Sequence, residues 1–155
     1  MTAAALDHAG IAARIPHAGA MCLLDALVEM SDEGVRCRIT GHADAAHPLR
    51  GARGLSSAHA IEYAAQAMAL HGALMSPADA PAQRPGFIAS ARGVRLHVDR
   101  LDDRPGPLVI GAVRQATATD QALYRFELHD AHGTLLAEGR AAVVLNRPLA
   151  ATPAR

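Results

Sequence analysis

Ala58-His59-Ala60-Ile61-Glu62-Tyr63-Ala64-Ala65-Gln66-Ala67-Met68-Ala69-Leu70-His71-Gly72-Ala73-Leu74-Met75 is the stretch on which the fold turns. Within it only His59, Glu62, Gln66 and His71 are clearly polar. Ser56 or Ser57 can cap its N-terminus, and Pro77 forbids much continuation, so a helix is predicted from there to about Leu74. A helix that is apolar nearly all round must be buried nearly all round.

The flanks say what buries it. Cys22 to Met30 and Val35 to Thr40 read as strands joined by Ser31-Asp32-Glu33-Gly34, a stretch with turn chemistry. Val35-Arg36-Cys37-Arg38-Ile39-Thr40 alternates with period two, as a strand with one wet face does. Gly41 to Gly54 is irregular. After a loop from Ser76 to Pro85, strands are expected over Phe87 to Asp99, Leu108 to Ala118, Leu123 to Asp130 and Leu135 to Leu145. Two strands, one helix and four strands imply an α+β fold with an antiparallel sheet. One sheet can bury such a helix only by curling about it. The expectation is therefore a single hotdog domain over residues 11–146, its long central apolar helix wrapped by a curved antiparallel sheet, with 147–155 as a flexible tail.

Bulk properties narrow the function. A chain of 155 residues suits one domain with one core. With two Phe, two Tyr and no Trp, that core is filled by Ala, Leu and Val. The 15 basic and 15 acidic residues cancel, which argues against a nucleic-acid binder driven by phosphate contacts. Every basic residue is arginine, so no side chain offers Schiff-base chemistry. Cys22 and Cys37 lack metal or redox spacing and read as reduced core thiols. No basic start with a long apolar run marks a signal peptide, and no membrane-spanning run is present, so a cytoplasmic location is expected.

Glu62 needs an explanation. A buried, unpaired carboxylate costs several kcal/mol, so this one must be paired, protonated or at a wet pocket. Gln66, four residues on, shares its helical face. The two form either a structural hydrogen-bonded pair, a stripe reaching solvent at a dimer seam, or the wall of a reactive cavity. Upstream, Pro48 restricts His47 to an extended conformation at the mouth of the helix. His59, three residues before Glu62, is the competing imidazole.

The residues then resemble a family. Ile15-Pro16-His17 with Met21-Cys22-Leu23-Leu24-Asp25 looks like the opening of FabZ-type 3-hydroxyacyl-ACP dehydratases. His47-Pro48, followed by Ile61-Glu62-Tyr63-Ala64-Ala65-Gln66-Ala67, resembles that family's loop histidine and helix motif. Read on through Met68-Ala69 to His71-Gly72, the stretch is most similar to the dehydratases of aryl-polyene pigment clusters. Gly86-Phe87-Ile88, with Arg92 to Val98 after it, resembles the next strand. The loop departs from the family's usual His-Phe-Pro-Gly-His-Pro, and Ser56-Ser57 stand where Pro-Gly is usual.

The resemblance implies elimination of water from a 3-hydroxyacyl thioester on an acyl carrier protein, giving the trans-2-enoyl product. His47 would remove the α-proton, and Glu62, kept protonated by apolar surroundings, would protonate the departing hydroxyl. Gln66 would orient Glu62, and free N–H groups near Ser57 would stabilise the thioester oxygen. It also implies a homodimer, with His and Glu of one site coming from different subunits, and leaves room for a second dehydratase subunit. No metal or other cofactor is implied. Arg92, Arg95 and Arg100, with Arg104, could dock an acidic carrier and its phosphopantetheine phosphate. Two alternatives stand beside this one: a hotdog thioesterase, which needs no loop histidine, and a non-catalytic carrier-docking subunit of a pigment synthase.

Overall fold

The computed structural model describes residues 5–76 and 87–144. A short helix α1, His8–Ala12, is capped by the Asp7 carboxylate, which accepts the Gly10 N–H at 2.9 Å. Strands β1 (Ala26–Met30) and β2 (Gly34–Ile39) form an antiparallel hairpin. The long helix α2 covers Ala60–Met75, and β3 (Phe87–Leu96), β4 (Leu108–Ala118), β5 (Gln121–His129) and β6 (Leu135–Val144) follow. All six strands join one antiparallel sheet in the order β1-β2-β4-β5-β6-β3.

Alternation decides which face each strand buries. Val35, Cys37 and Ile39 of β2, Leu108, Ile110 and Ala112 of β4, and Tyr124, Phe126 and Leu128 of β5 all point inward. They meet Ala60, Tyr63, Ala64, Ala67 and Leu70 of α2, where the alanines let helix and sheet approach closely. Each fully buried Leu or Phe contributes about 1.5–3 kcal/mol relative to exposure. Gly139 is small for a related reason: it lies opposite Phe126, whose ring Cζ comes within 2.8 Å of where a Cβ would stand. The long helix wrapped by an antiparallel sheet is the expected α+β hotdog arrangement.

Several boundaries differ from expectation, each for a local reason. The first strand begins at Ala26 rather than Cys22, because Met21 and Leu23 turn their backbone groups to the Gln66 side chain. The cap is Ser56, whose Oγ accepts the Ala58 N–H at 3.2 Å, and a 3-10 turn over Ser57–His59 leads into α2. The third strand stops at Leu96, and the fifth starts two residues early, at Gln121. Both expected thiols are free and buried, and burial pushes Cys37 up to about 12. The expected loop beyond Ser76, Leu145 and the 147–155 tail lie outside the described residues.

Among the described residues, two surfaces stay open on a single chain. On α2, Ile61, Glu62, Ala65, Ala69, Gly72 and Ala73 form a half-buried stripe at helical spacing. At one end of the sheet, β3 pairs only with β6 among the described residues, and its other edge lies beside the exposed Phe87 and Leu96.

Candidate active site

Glu62 lies on the open stripe of α2, its side chain 31% exposed. Two groups reach the same oxygen: Gln66 donates to Oε1 at 3.1 Å, and His17 Nε2 lies 3.0 Å from Oε1. No bond to Oε2 is found among the described residues, so one carboxyl oxygen is held and the other is available. The apolar setting expected for Glu62 is thus corrected to one of hydrogen-bond donors. Its imidazole partner is His17, not His59.

Gln66 does more than orient Glu62. Fully buried, it donates to the Met21 carbonyl at 2.7 Å and accepts the Leu23 N–H at 2.8 Å. That pairing imitates a strand partner and presses residues 21–23 onto the helix. With both amide N–H groups and one lone pair of Oε1 used within the protein, and the side chain fully buried, Gln66 acts as a clamp. Ser57 needs the same correction. Its N–H donates to Asp99 O at 3.0 Å, and the Ala58 and His59 N–H groups go to Ser56 Oγ and Ser56 O. The start of the helix therefore has no free donors at these positions.

His47 is almost wholly covered, at 8% exposure, and meets Tyr63 rather than Glu62. Adjacent helix positions diverge by about 100°, so Tyr63 faces the core while Glu62 faces the open stripe. The Leu49 N–H donates to His47 Nδ1 at 3.1 Å, which requires that nitrogen to be unprotonated. The neutral ring then carries its proton on Nε2 and donates it to the Tyr63 oxygen at 3.0 Å. Burial, aided by nearby His59, holds the His47 imidazole below the ordinary histidine range, and burial pushes the Tyr63 phenol above its own. Within one chain, then, His47 and Glu62 belong to separate hydrogen-bonded sets.

The expected docking arginines are distributed differently. Arg100 grips Asp102, which also takes Arg50 at 3.2 Å and the Leu55 N–H at 2.9 Å. The Arg100 guanidinium first, and then the Leu55 N–H, hold the Asp102 carboxyl well below the usual range. Arg95 lies opposite Glu138, whereas Arg92 lies opposite Arg140, and Arg140 opposite Arg125. Three exposed arginines therefore stand side by side across β3, β6 and β5. A groove of about 360 Å³ lies on the outer face of the sheet, lined by Arg36, Gly111, Val113, Arg125 and Glu127 among others and by none of the His17–Glu62–Gln66 set. Among the described residues no group of His, Cys, Asp and Glu is placed to hold a metal ion, and no helix is long and apolar enough to cross a membrane.

Of these features, the sequence flagged Glu62, Gln66 and His47, and missed His17 and Tyr63. Tyr63 follows Glu62 in the helix motif and carried no polarity signal of its own. His17 stood in the quoted Ile15-Pro16-His17 opening, and that was its one available signal.

Among solved structures, the fold is similar to a chain of the dehydratase heterocomplex ApeI:P from Xenorhabdus doucetiae, at TM-score 0.78 and 24% identity, covering 88% of this chain and 91% of that one. It is also similar to a thioesterase of Staphylococcus aureus subsp. aureus Mu50, at 0.60 and 11%, covering 78% and 92%. A thioesterase of Pseudomonas aeruginosa matches at 0.58 and 12%, covering 77% and 79%. These likenesses establish the hotdog fold. No curated protein matches the sequence. The family model described as ApeP dehydratase matches residues 9–152, nearly the whole length, and the chain belongs to the ApeP-like dehydratase family.

Proposed function

We propose that this dehydratase removes water from 3-hydroxyacyl thioesters carried on an acyl carrier protein, giving trans-2-enoyl thioesters in aryl-polyene biosynthesis. The observation that carries the reading is Glu62, held through Oε1 with Oε2 free, on a helix face one chain leaves half open. The α-proton beside a thioester is weakly acidic and hydroxide is a poor leaving group, so the elimination needs a base and an acid. His47 takes the α-proton and Glu62 protonates the hydroxyl, each transfer contributing ~10²–10⁴ in rate. Before His47 can accept at Nε2, its proton must pass to Nδ1 and the Leu49 N–H must give way. Hydrogen bonds in empty sites commonly rearrange in this manner when substrate arrives.

Because His47 and Glu62 face apart in one chain, the reading requires a second hotdog chain to bring its own groups across. The β3 edge away from β6 and the half-buried α2 stripe are suited to such a neighbour. That partner is a second copy or a companion dehydratase subunit, and the similarity to a chain of a dehydratase heterocomplex favours the companion. Carrier docking draws support from the arginine row. Like charges directly opposite on a sheet are destabilising, and an anionic partner over Arg92, Arg140 and Arg125 relieves them. Arg95 extends this row along β3, while Arg100 contributes the part of its guanidinium that Asp102 leaves exposed.

The test is turnover of aryl and alkyl 3-hydroxyacyl carriers, followed by intact-mass and enoyl absorbance. His47→Ala and Glu62→Gln should each abolish enoyl formation in a folded assembly. Release of free thiol without enoyl product would instead make the protein a thioesterase, and full activity of both variants would leave it a docking subunit.

A further inference from the structure

Glu62 has a neighbour whose contacts are otherwise unexplained. His17 sits between the end of α1 and β1, its side chain 23% exposed, with Nε2 on Glu62 Oε1 at 3.0 Å. Its other nitrogen, Nδ1, is buried and has no hydrogen-bond partner among the described residues. A buried polar atom left unpaired costs about 1–3 kcal/mol. A histidine serving only to pack residues 15–23 against the helix would be replaced with profit by an apolar side chain. The segment needs no such help, because Gln66 already fastens it at Met21 O and Leu23 N.

The contacts close into a ring. Gln66 holds the segment that carries His17, and His17 and Gln66 converge on one oxygen of Glu62. Two donors on Oε1 restrict rotation of the carboxyl group and fix which oxygen faces the open stripe.

We propose that His17 is the positioning residue for Glu62: its Nε2–H, with that of Gln66, holds Oε1 so that Oε2 alone meets the 3-hydroxyl of the substrate. This rests on the reading of Glu62 as the acid of the dehydration. In the step it serves, the C2 proton passes to His47, the C2–H electron pair forms the C2–C3 double bond, the C3–O bond breaks, and the proton on Oε2 joins the departing hydroxyl to leave as water, with Glu62 left as carboxylate and His47 protonated. His17 does not touch the substrate. It sets the direction from which the proton comes, and a misplacement near 1 Å in such a group costs up to ~10²-fold.

The experiment measures kcat and KM for His17→Leu, His17→Gln, Glu62→Gln and the His17→Leu/Glu62→Gln double variant, in the assembly that carries the activity. Leucine removes the donor; glutamine keeps an N–H near the position of Nε2. The expected results are a kcat ~10–100-fold lower for His17→Leu with KM within about threefold of wild type, recovery of much of that loss in His17→Gln, and a double variant no slower than Glu62→Gln alone. Unchanged kcat in His17→Leu, no recovery in His17→Gln, or a further loss in the double variant would each overturn the proposal. Should His17→Leu fail to fold, His17→Phe takes its place as the donor-removing variant: a soluble protein with the same loss in kcat supports the proposal and one with unchanged kcat overturns it. Full activity in Glu62→Gln would overturn both this role and the dehydratase site. Loss in Glu62→Gln beside an unaffected His17→Leu would remove only His17.

Discussion

Helix α2 carries one half of each of two histidine–tyrosine pairs. Near its start Tyr63 meets His47 from the loop, with ring centroids 6.2 Å apart, and two turns later His71 meets Tyr124 of β5 at 5.7 Å. The residue types are the same but the bonds run in opposite senses. His71 Nε2 lies 3.0 Å from the Ser31 carbonyl, which can only accept, so this nitrogen donates. Its Nδ1 therefore accepts the Tyr124 O–H at 2.8 Å. That chain begins at a hydroxyl and ends at a carbonyl, tying helix, β1–β2 turn and β5 together with nothing left over. In the other pair His47 donates and the Tyr63 oxygen accepts, so the Tyr63 O–H ends the chain with no acceptor found among the described residues. A closed chain makes a strut; an open one can pass a proton or a hydrogen bond to something that arrives later.

The largest effect expected on this contrast is in activity. His47→Ala should lower kcat for dehydration by ~10²–10⁴ in the folded protein, with a smaller loss of stability than the counterpart change at His71, because His47 keeps some exposure and His71 none. Its counterpart, His71→Ala, should do the reverse. It leaves Ser31 O and Tyr124 Oη unpaired around a void and should cost about 2–5 kcal/mol by urea unfolding, with kcat preserved where the protein is folded. A His71 variant that folds normally but cannot turn over would break the distinction. The two tyrosines sharpen it further. Tyr63→Phe should lower kcat about tenfold with little change in thermal midpoint, whereas Tyr124→Phe should cost about 1–3 kcal/mol of stability and no activity.

The smallest effect is on pH dependence. Burial lowers both His47 and His71 from the ordinary value of 6.5. Below that pH the unfolded chain binds more protons than the folded one at these sites, so stability rises with pH and is lost as pH falls through about 6.5. Thermal midpoints at pH 7.5 and 5.5 should therefore differ in wild type, and less so in a His71→Leu variant. An equal or larger drop in that variant would remove His71 from the explanation.

Much of the fold was legible because it rests on short-range pattern. The apolar run with Pro77 beyond it locates α2, and alternation in Val35 to Ile39 locates β2 and its inward face. The Glu62–Gln66 contact was legible for the same reason, since residues four apart share a helix face. What escaped were contacts between distant segments. Gln66 read as a partner for Glu62 alone, yet two of its three side-chain bonds go elsewhere, and those, to Met21 and Leu23, shortened β1. Ser57 read as a source of donors, but Asp99, brought alongside by the Ser56–Arg100 bridge, takes its N–H.

By itself the amino-acid order determined that one greasy helix must be enclosed by a sheet and that a carboxylate would interrupt it, because periodicity and the cost of burying charge act at every position regardless of what lies far away. Only the tertiary structure decided which imidazole reaches that carboxylate. His17 and Glu62 are distant in sequence and meet because Gln66 fastens one segment over the other, a choice made by hydrogen-bond geometry in three dimensions.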